Sequence, residues 1–303
     1  MRLVTRSDFD GLACAVLLKK MGLISEYQFV HPKDLQDGLV EVTDNDILAN
    51  VPYVNGCGMW FDHHSSENER VGNIEFKGMS KHAPSCARVI WNYFGGHAKF
   101  SPDLDVMMEA VDKVDSGRLL LDDITNPKGW VLLGFVMDPR TGLGRYRDYR
   151  ISNYQLMLDM IEYCSSKTSD EILAIPDVKE RTDRYFSQQK QFEEMLKRNA
   201  AVHQNVLLVD LRGEEEIYSG NRFTLYGLYP DTNVSIQIIW GLKKQNVVLT
   251  VGHSILNRTC MADIGSLMLK YGGGGHMRVG TCQVPTEQAE EAIKDILESL
   301  IGK

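Results

Sequence analysis

Apolar residues recur along the chain at two spacings, and their alternation predicts the architecture. Short β-branched or aromatic runs at residues 1–5, 47–51 and 58–61 read as buried strands. Helical periodicity appears at residues 11–21 and 83–93. Strands alternating with helices predict an α/β fold with a parallel sheet, whose ligands gather at the carboxyl ends of the strands. Residues 101–164 are mainly helical, broken by a Gly/Arg-rich loop at 138–150. From Asp177 to Gln204 the chain is polar, has no further Gly or Pro, and carries Tyr185, Phe186, Phe192 and Leu196, which predicts a long connecting helix. A second strand-rich unit follows, with strands at 206–211, 234–240, 247–251 and 279–284 and helices at 261–271 and 287–300. Pro285 ends the last strand, and Thr286 is placed to cap the final helix. The expected division is a domain of residues 1–185, a connecting helix of 186–204, and a smaller α/β domain of 205–303.

Length and charge narrow this picture. A chain of 303 residues accommodates two domains of roughly 100–200 residues each. With 33 Lys and Arg against 41 Asp and Glu, the formal charge is −8. That argues against the broad basic face needed to track duplex DNA, and leaves room for a small anion held by a few arginines. No run approaches the roughly 18 apolar residues of a membrane helix. The apolar run at 12–18 is too short for a signal peptide and follows acidic residues. The six cysteines include no Cys-x-x-Cys pair, as expected of reduced thiols in the cytoplasm.

The candidate chemistry sits where strands end. Asp8-Phe9-Asp10-Gly11 follows the first strand, so two carboxylates can converge on a hard cation; the alternative is an Asp helix cap. Asp62-His63-His64 follows the strand at 58–61, and a carboxylate beside imidazoles suits Mn²⁺, Fe²⁺ or Zn²⁺. Asp115-Ser116-Gly117 closes a helical pattern. A left-handed cap accounts for Gly117, but a carboxylate in the last turn opposes the helix dipole, a cost that a cation offsets. Asp112, one turn earlier, is the weaker candidate. Gly272-Gly273-Gly274-Gly275-His276 holds more glycine than a cap needs, which suits backbone N–H groups facing a phosphate, with Arg258 and Arg278 as charged partners. The loop at 138–150 interleaves Arg140, Arg145, Arg147 and Arg150 with Tyr146 and Tyr149, and reads either as a solvated loop or as a nucleotide clamp.

Taken in order, these motifs resemble the DHH phosphoesterase family with its DHH-associated C-terminal domain, the nano-RNase and exopolyphosphatase-related type, over nearly the whole chain. The resemblance implies an N-terminal parallel-sheet DHH domain, a smaller DHH-associated domain, and an active site in the cleft between them. It implies Asp8, Asp10, Asp62, His63 and Asp115 as metal ligands, His64 as the catalytic residue facing the scissile phosphate, and Arg258, Gly273, Gly274, Gly275 and His276 as substrate-binding residues, to which the charge near the glycine run adds Arg278. The expected cofactor is Mn²⁺ or Mg²⁺. Two family positions depart from the pattern: Val4 stands where a histidine is usual, and Asn50 where a carboxylate is usual. One ion instead of two is therefore an open outcome, with His82 a substitute ligand to consider. The function expected is metal-dependent hydrolysis of a small phosphorylated substrate, such as a short oligonucleotide or a nucleotide bisphosphate. A degenerate nucleotide-binding protein and a polyphosphate hydrolase are the alternatives, and a homodimer is compatible with the pattern.

Overall fold

The computed structural model describes residues 1–64, 67 and 70–303. Packing groups Met1–Arg118 with Asn126–Phe186 in one unit and Leu119–Thr125 with Ser187–Lys303 in a second, so the division is not a single cut in the sequence. In the first unit β1 (Arg2–Thr5), β2 (Glu26–Phe29), β3 (Asp46–Ala49), β4 (Met59–Asp62) and β5 (Gly78–Ser80) form a parallel sheet of order β2-β1-β3-β4-β5. The chain runs from β1 to β2 on one side and returns to β3 on the other. The carboxyl ends of β1 and β3 thus flank a topological switch point, the usual ligand position in such sheets.

Burial explains which elements the hydrophobic pattern reveals. β3 and β4 are buried along their whole length, and helix Phe9–Lys20 is buried from Phe9 to Leu18. Such elements read as near-continuous apolar runs. The edge strands β2 and β5 are only partly buried, which is why neither stands out in the sequence. Val4, Leu48 and Trp60 pack in one apolar cluster with Leu35 and Val51. The helices Cys86–Tyr93, Asp105–Asp115, Gly129–Met137 and Asn153–Ser166 complete the parts of this unit that matter for its chemistry.

The second unit is built on a six-stranded sheet of order β10-β11-β9-β8-β7-β6, comprising β6 (Ala200–His203), β7 (Val206–Asp210), β8 (Val234–Trp240), β9 (Val247–His253), β10 (Gly274–His276) and β11 (Val279–Val284). β7 pairs parallel with β8, and the remaining pairs are antiparallel. Ile236, Leu249 and Val251 form its core with Ile264, Met268, Ile293 and Ile296 of helices Ile264–Leu269 and Ala289–Leu300.

Three expectations are corrected here. The long helix is Pro176–Arg198 and stops before residue 204. Residues 200–203 instead form β6, an edge strand in a hairpin that turns at Gln204 with φ +56°, and its exposed side chains made it look like more polar helix. The helix expected at 261–271 is Ile264–Leu269, started by Asp263, whose carboxylate accepts from the Ser266 N–H. Thr286 lies in a 3₁₀ turn and accepts no capping bond; the last helix is Ala289–Leu300. No described helix is long and apolar enough to cross a membrane.

Candidate metal centre

Asp8, Asn50 and Asp62-His63-His64 stand at the carboxyl ends of β1, β3 and β4, which are neighbours in the sheet. Parallel pairing alone therefore gathers three distant sequence segments along one edge. Asp8 caps helix Phe9–Lys20, its Oδ1 accepting the Gly11 N–H at 2.9 Å. A Cβ at Gly11 would lie 2.1 Å from the Arg6 carbonyl oxygen, so glycine is required there by the turn's own backbone. Asp10, in the first turn of the same helix, accepts from the Cys86 N–H (2.9 Å) and the Ala87 N–H (2.8 Å) at the start of helix Cys86–Tyr93. Burial, and then the charges of Asp115 and Asp8, push the Asp10 carboxyl well above its ordinary range; the two N–H bonds oppose this.

His63 completes the group. Its Nε2 lies 3.4 Å from Asp115 Oδ2 and 3.7 Å from Asp10 Oδ2, while Nδ1 faces the Ala83 carbonyl oxygen at 3.2 Å. Asp10, His63 and Asp115 present ligand atoms that all lie within 4.8 Å of one another. Asp115 ends helix Asp105–Asp115, and Gly117 just beyond it is left-handed at φ +65°. Two carboxylate oxygens and one imidazole with its other nitrogen tied down form a donor set that fits Mn²⁺ or Mg²⁺.

The other predicted residues have different surroundings. Asp62 is fully buried and faces His64, with Oδ1 2.8 Å from the ring Nδ1 and Oδ2 accepting the backbone N–H at 3.3 Å. Asp8 lines one pocket with Asp10 and Asp115, yet its Oδ2 is 3.2 Å from Arg6 Nε and its Oδ1 accepts from Asn50 Nδ2 at 3.2 Å. Asn50 is thus at the site. Val4 is not, because its side chain belongs to the apolar cluster with Leu48 and Trp60. His82 is exposed after β5 and is not a member of the three-residue group. Asp112 accepts from Ser85 Oγ (2.7 Å) and Arg88 Nε (2.8 Å), a buried structural network.

The loop at 138–150 is divided in role. Tyr146 and Tyr149 are stacked by this chain's own guanidinium groups, with Arg184 4.2 and 4.7 Å from the two rings and Arg181 3.8 Å from Tyr149. Arg184 also chelates Asp148 and holds that carboxyl down at about 2. Arg140 is different. It lines the acidic pocket, and Asp138 Oδ1 accepts both its backbone N–H (2.9 Å) and its Nε (2.7 Å). Sequence reasoning named Arg140 only as one of four arginines in a solvated loop or nucleotide clamp, and did not name Arg6. The available signal was each arginine's place two residues from an aspartate at the end of a strand or helix.

In the second unit, the glycine run has mostly structural causes. Gly272 has φ +71°, and a Cβ at Gly273 would meet the Thr281 carbonyl oxygen at 2.1 Å. At Gly275 a Cβ would lie 2.2 Å from the Val279 carbonyl oxygen, whereas at Gly274 it would meet nothing within 4 Å. Only Gly274 lacks a local steric or conformational reason to be glycine. His276 ends β10, and Arg278 is exposed in the turn before β11. Arg258 is exposed in the segment after β9, its Nε donating to the Ile255 carbonyl at 2.9 Å.

No protein-family profile and no curated protein matches the chain. Among solved structures it is similar to a pGpG-specific phosphodiesterase, PggH, from Vibrio cholerae, at 49% identity and TM-score 0.82, covering 99% of this chain and 98% of that one. RecJ in complex with Mn²⁺ from Thermus thermophilus shares the fold at TM-score 0.54 and 12% identity, covering 97% of this chain and 51% of its own. Identity of this extent to a phosphodiesterase, together with the ordered Asp-x-Asp, Asp-His-His and Asp-Ser-Gly motifs, identifies the fold and its chemistry. The chain belongs to the DHH family of metal-dependent phosphoesterases.

Proposed function

We propose that this chain is a metal-dependent phosphodiesterase that cleaves a 5′-phosphorylated dinucleotide, with pGpG, the substrate named for the 49%-identical relative, as first candidate. The observation that carries this reading is the convergence of Asp10, His63 and Asp115 within 4.8 Å at the carboxyl edge of the parallel sheet. These three would hold Mn²⁺ or Mg²⁺, flanked by the carboxylates of Asp8 and Asp62. A divalent ion bound there supplies polarisation of a phosphoryl oxygen and an acidified water.

This chain's own residues supply the remaining requirements. The Ala83 carbonyl fixes the His63 ring so that Nε2 faces the carboxylates. Asp62 orients His64 in the same manner through Nδ1, which makes His64 Nε2 the nitrogen that holds or delivers a proton beside the scissile bond. Arg140, braced by Asp138, places a guanidinium on the wall of the acidic pocket, where it suits a phosphate oxygen. On the second unit, Arg258, Gly273, Gly274, Gly275, His276 and Arg278 are the proposed substrate-binding residues, and the open space at Gly274 favours that reading.

The test is turnover of pGpG, other linear dinucleotides, 3′,5′-bisphosphates, cyclic dinucleotides and polyphosphate by metal-loaded and chelated protein. Rapid Mn²⁺-dependent release of mononucleotide from pGpG is expected. Tight pGpG binding with no hydrolysis in any metal would move the protein to the non-catalytic class.

A further inference from the structure

The acidic pocket is not uniform. Asp10 and Asp115 meet at His63 Nε2, and Arg140, braced by Asp138, lines the same pocket, whereas Asp8 is already paired with a second arginine. Its Oδ2 faces the Arg6 guanidinium at 3.2 Å. Its Oδ1 accepts two N–H groups, from Gly11 at 2.9 Å and from the Asn50 amide at 3.2 Å. A divalent ion on Asp8 would therefore have to displace a cation and would face the donor end of an amide. Asn50 is itself fixed, being buried at the end of β3 with its backbone N–H on the Phe61 carbonyl at 3.1 Å, and its φ of +58° is one that Asn tolerates.

We infer that Arg6 and Asn50 restrict this centre to a single divalent ion, held by Asp10, His63 and Asp115, with the Arg6 guanidinium serving as a built-in cation on Asp8. The inference rests on the reading of those three residues as metal ligands. Charge explains the restriction. Two divalent ions a few ångströms apart repel strongly unless carboxylates intervene, and here the carboxylate nearest Asn50 is shared with an arginine. A guanidinium offers N–H donors to phosphate oxygens but cannot acidify a water. The division of labour is then one ion for the attacking water and one fixed cation for substrate charge.

The test uses the full chain loaded with excess Mn²⁺ and desalted. Elemental analysis should give one Mn²⁺ per chain, and electron paramagnetic resonance should give an uncoupled six-line signal. Two ions per chain, or an exchange-coupled spectrum, would overturn the inference. The double variant Arg6→Gln with Asn50→Asp, checked for folding by circular dichroism, should approach two ions per chain and show spin coupling. A folded double variant that still binds one ion would overturn the roles given to Arg6 and Asn50. Wild type that binds one ion but leaves pGpG intact would support this inference while removing the proposed substrate. Wild type that binds none would remove both.

Discussion

His63 Nδ1 lies 3.2 Å from the Ala83 carbonyl oxygen, and because a carbonyl can only accept, that nitrogen carries the proton. Nε2 is then the basic nitrogen, and it is the one aimed at Asp115 and Asp10. Ala83 sits just before helix Cys86–Tyr93, whose first N–H groups bind Asp10, so one short segment orients two members of the centre. His63→Ala should reduce Mn²⁺ affinity by more than the roughly 10–100-fold typical of losing an outer-shell partner. Isothermal titration with Mn²⁺ checks this, and unchanged affinity would remove His63 from the ligand set.

His64 is expected to behave differently. It pairs with Asp62 and is not one of the three converging groups, so His64→Gln should keep its metal. Turnover should fall by about 10²–10⁴-fold, the usual contribution of a positioned acid or base. Measuring kcat and metal content on the same sample separates the two roles.

Asp10 gives the centre a pH dependence whose sign can be worked out. Burial, with Asp115 and Asp8, raises its folded pKa above the ordinary aspartate value of about 3.9. In metal-free protein the folded state therefore keeps a proton that the unfolded chain has released. Stability from this residue is full below the ordinary value and is lost as pH rises through the folded one. Calorimetry of chelated protein across that window should show the Tm of wild type falling relative to that of Asp10→Asn as pH rises, and a constant difference would remove this role of Asp10. Mn²⁺ affinity should rise with pH over the same interval, because the ion binds the ionised carboxylate.

Gly273 and Gly274 should separate structure from recognition. Gly273→Ala forces a Cβ against the Thr281 carbonyl oxygen and should cost about 1–3 kcal/mol in denaturant unfolding. Gly274→Ala meets no atom within 4 Å and should leave stability near wild type while raising KM for the dinucleotide. An unchanged KM in Gly274→Ala would leave the glycine run with backbone packing as its sole explanation.

Much of the candidate site was legible because its residues sit where local pattern already fixes their position. Asp8 and His63 follow buried strands and Asp62 ends one, and any residue there must emerge at the carboxyl edge of a parallel sheet. The alternation of strands with helices, and the strands Val234–Trp240 and Val279–Val284, were legible for the same reason: burial on one or both faces leaves a periodic trace. The edge strands β2, β5 and β6 left little trace, since their side chains are half-buried or exposed.

By itself, then, the sequence determined the strand–helix alternation and the order of the motifs at the sheet's carboxyl edge, because both depend on residues close together in the chain. Only the tertiary structure decided how the charges were shared. Asn50 meets Asp8 across 42 positions of sequence, and Asp10 meets the backbone of Cys86 and Ala87 across 76 and 77. It also decided that Val4 faces the apolar cluster while Arg6 faces Asp8. The physical reason is that a carboxylate's availability to an ion depends on which donors and cations lie within about 3 Å of its oxygens. That distance is set by strand register and helix packing, and no local pattern in the chain records it.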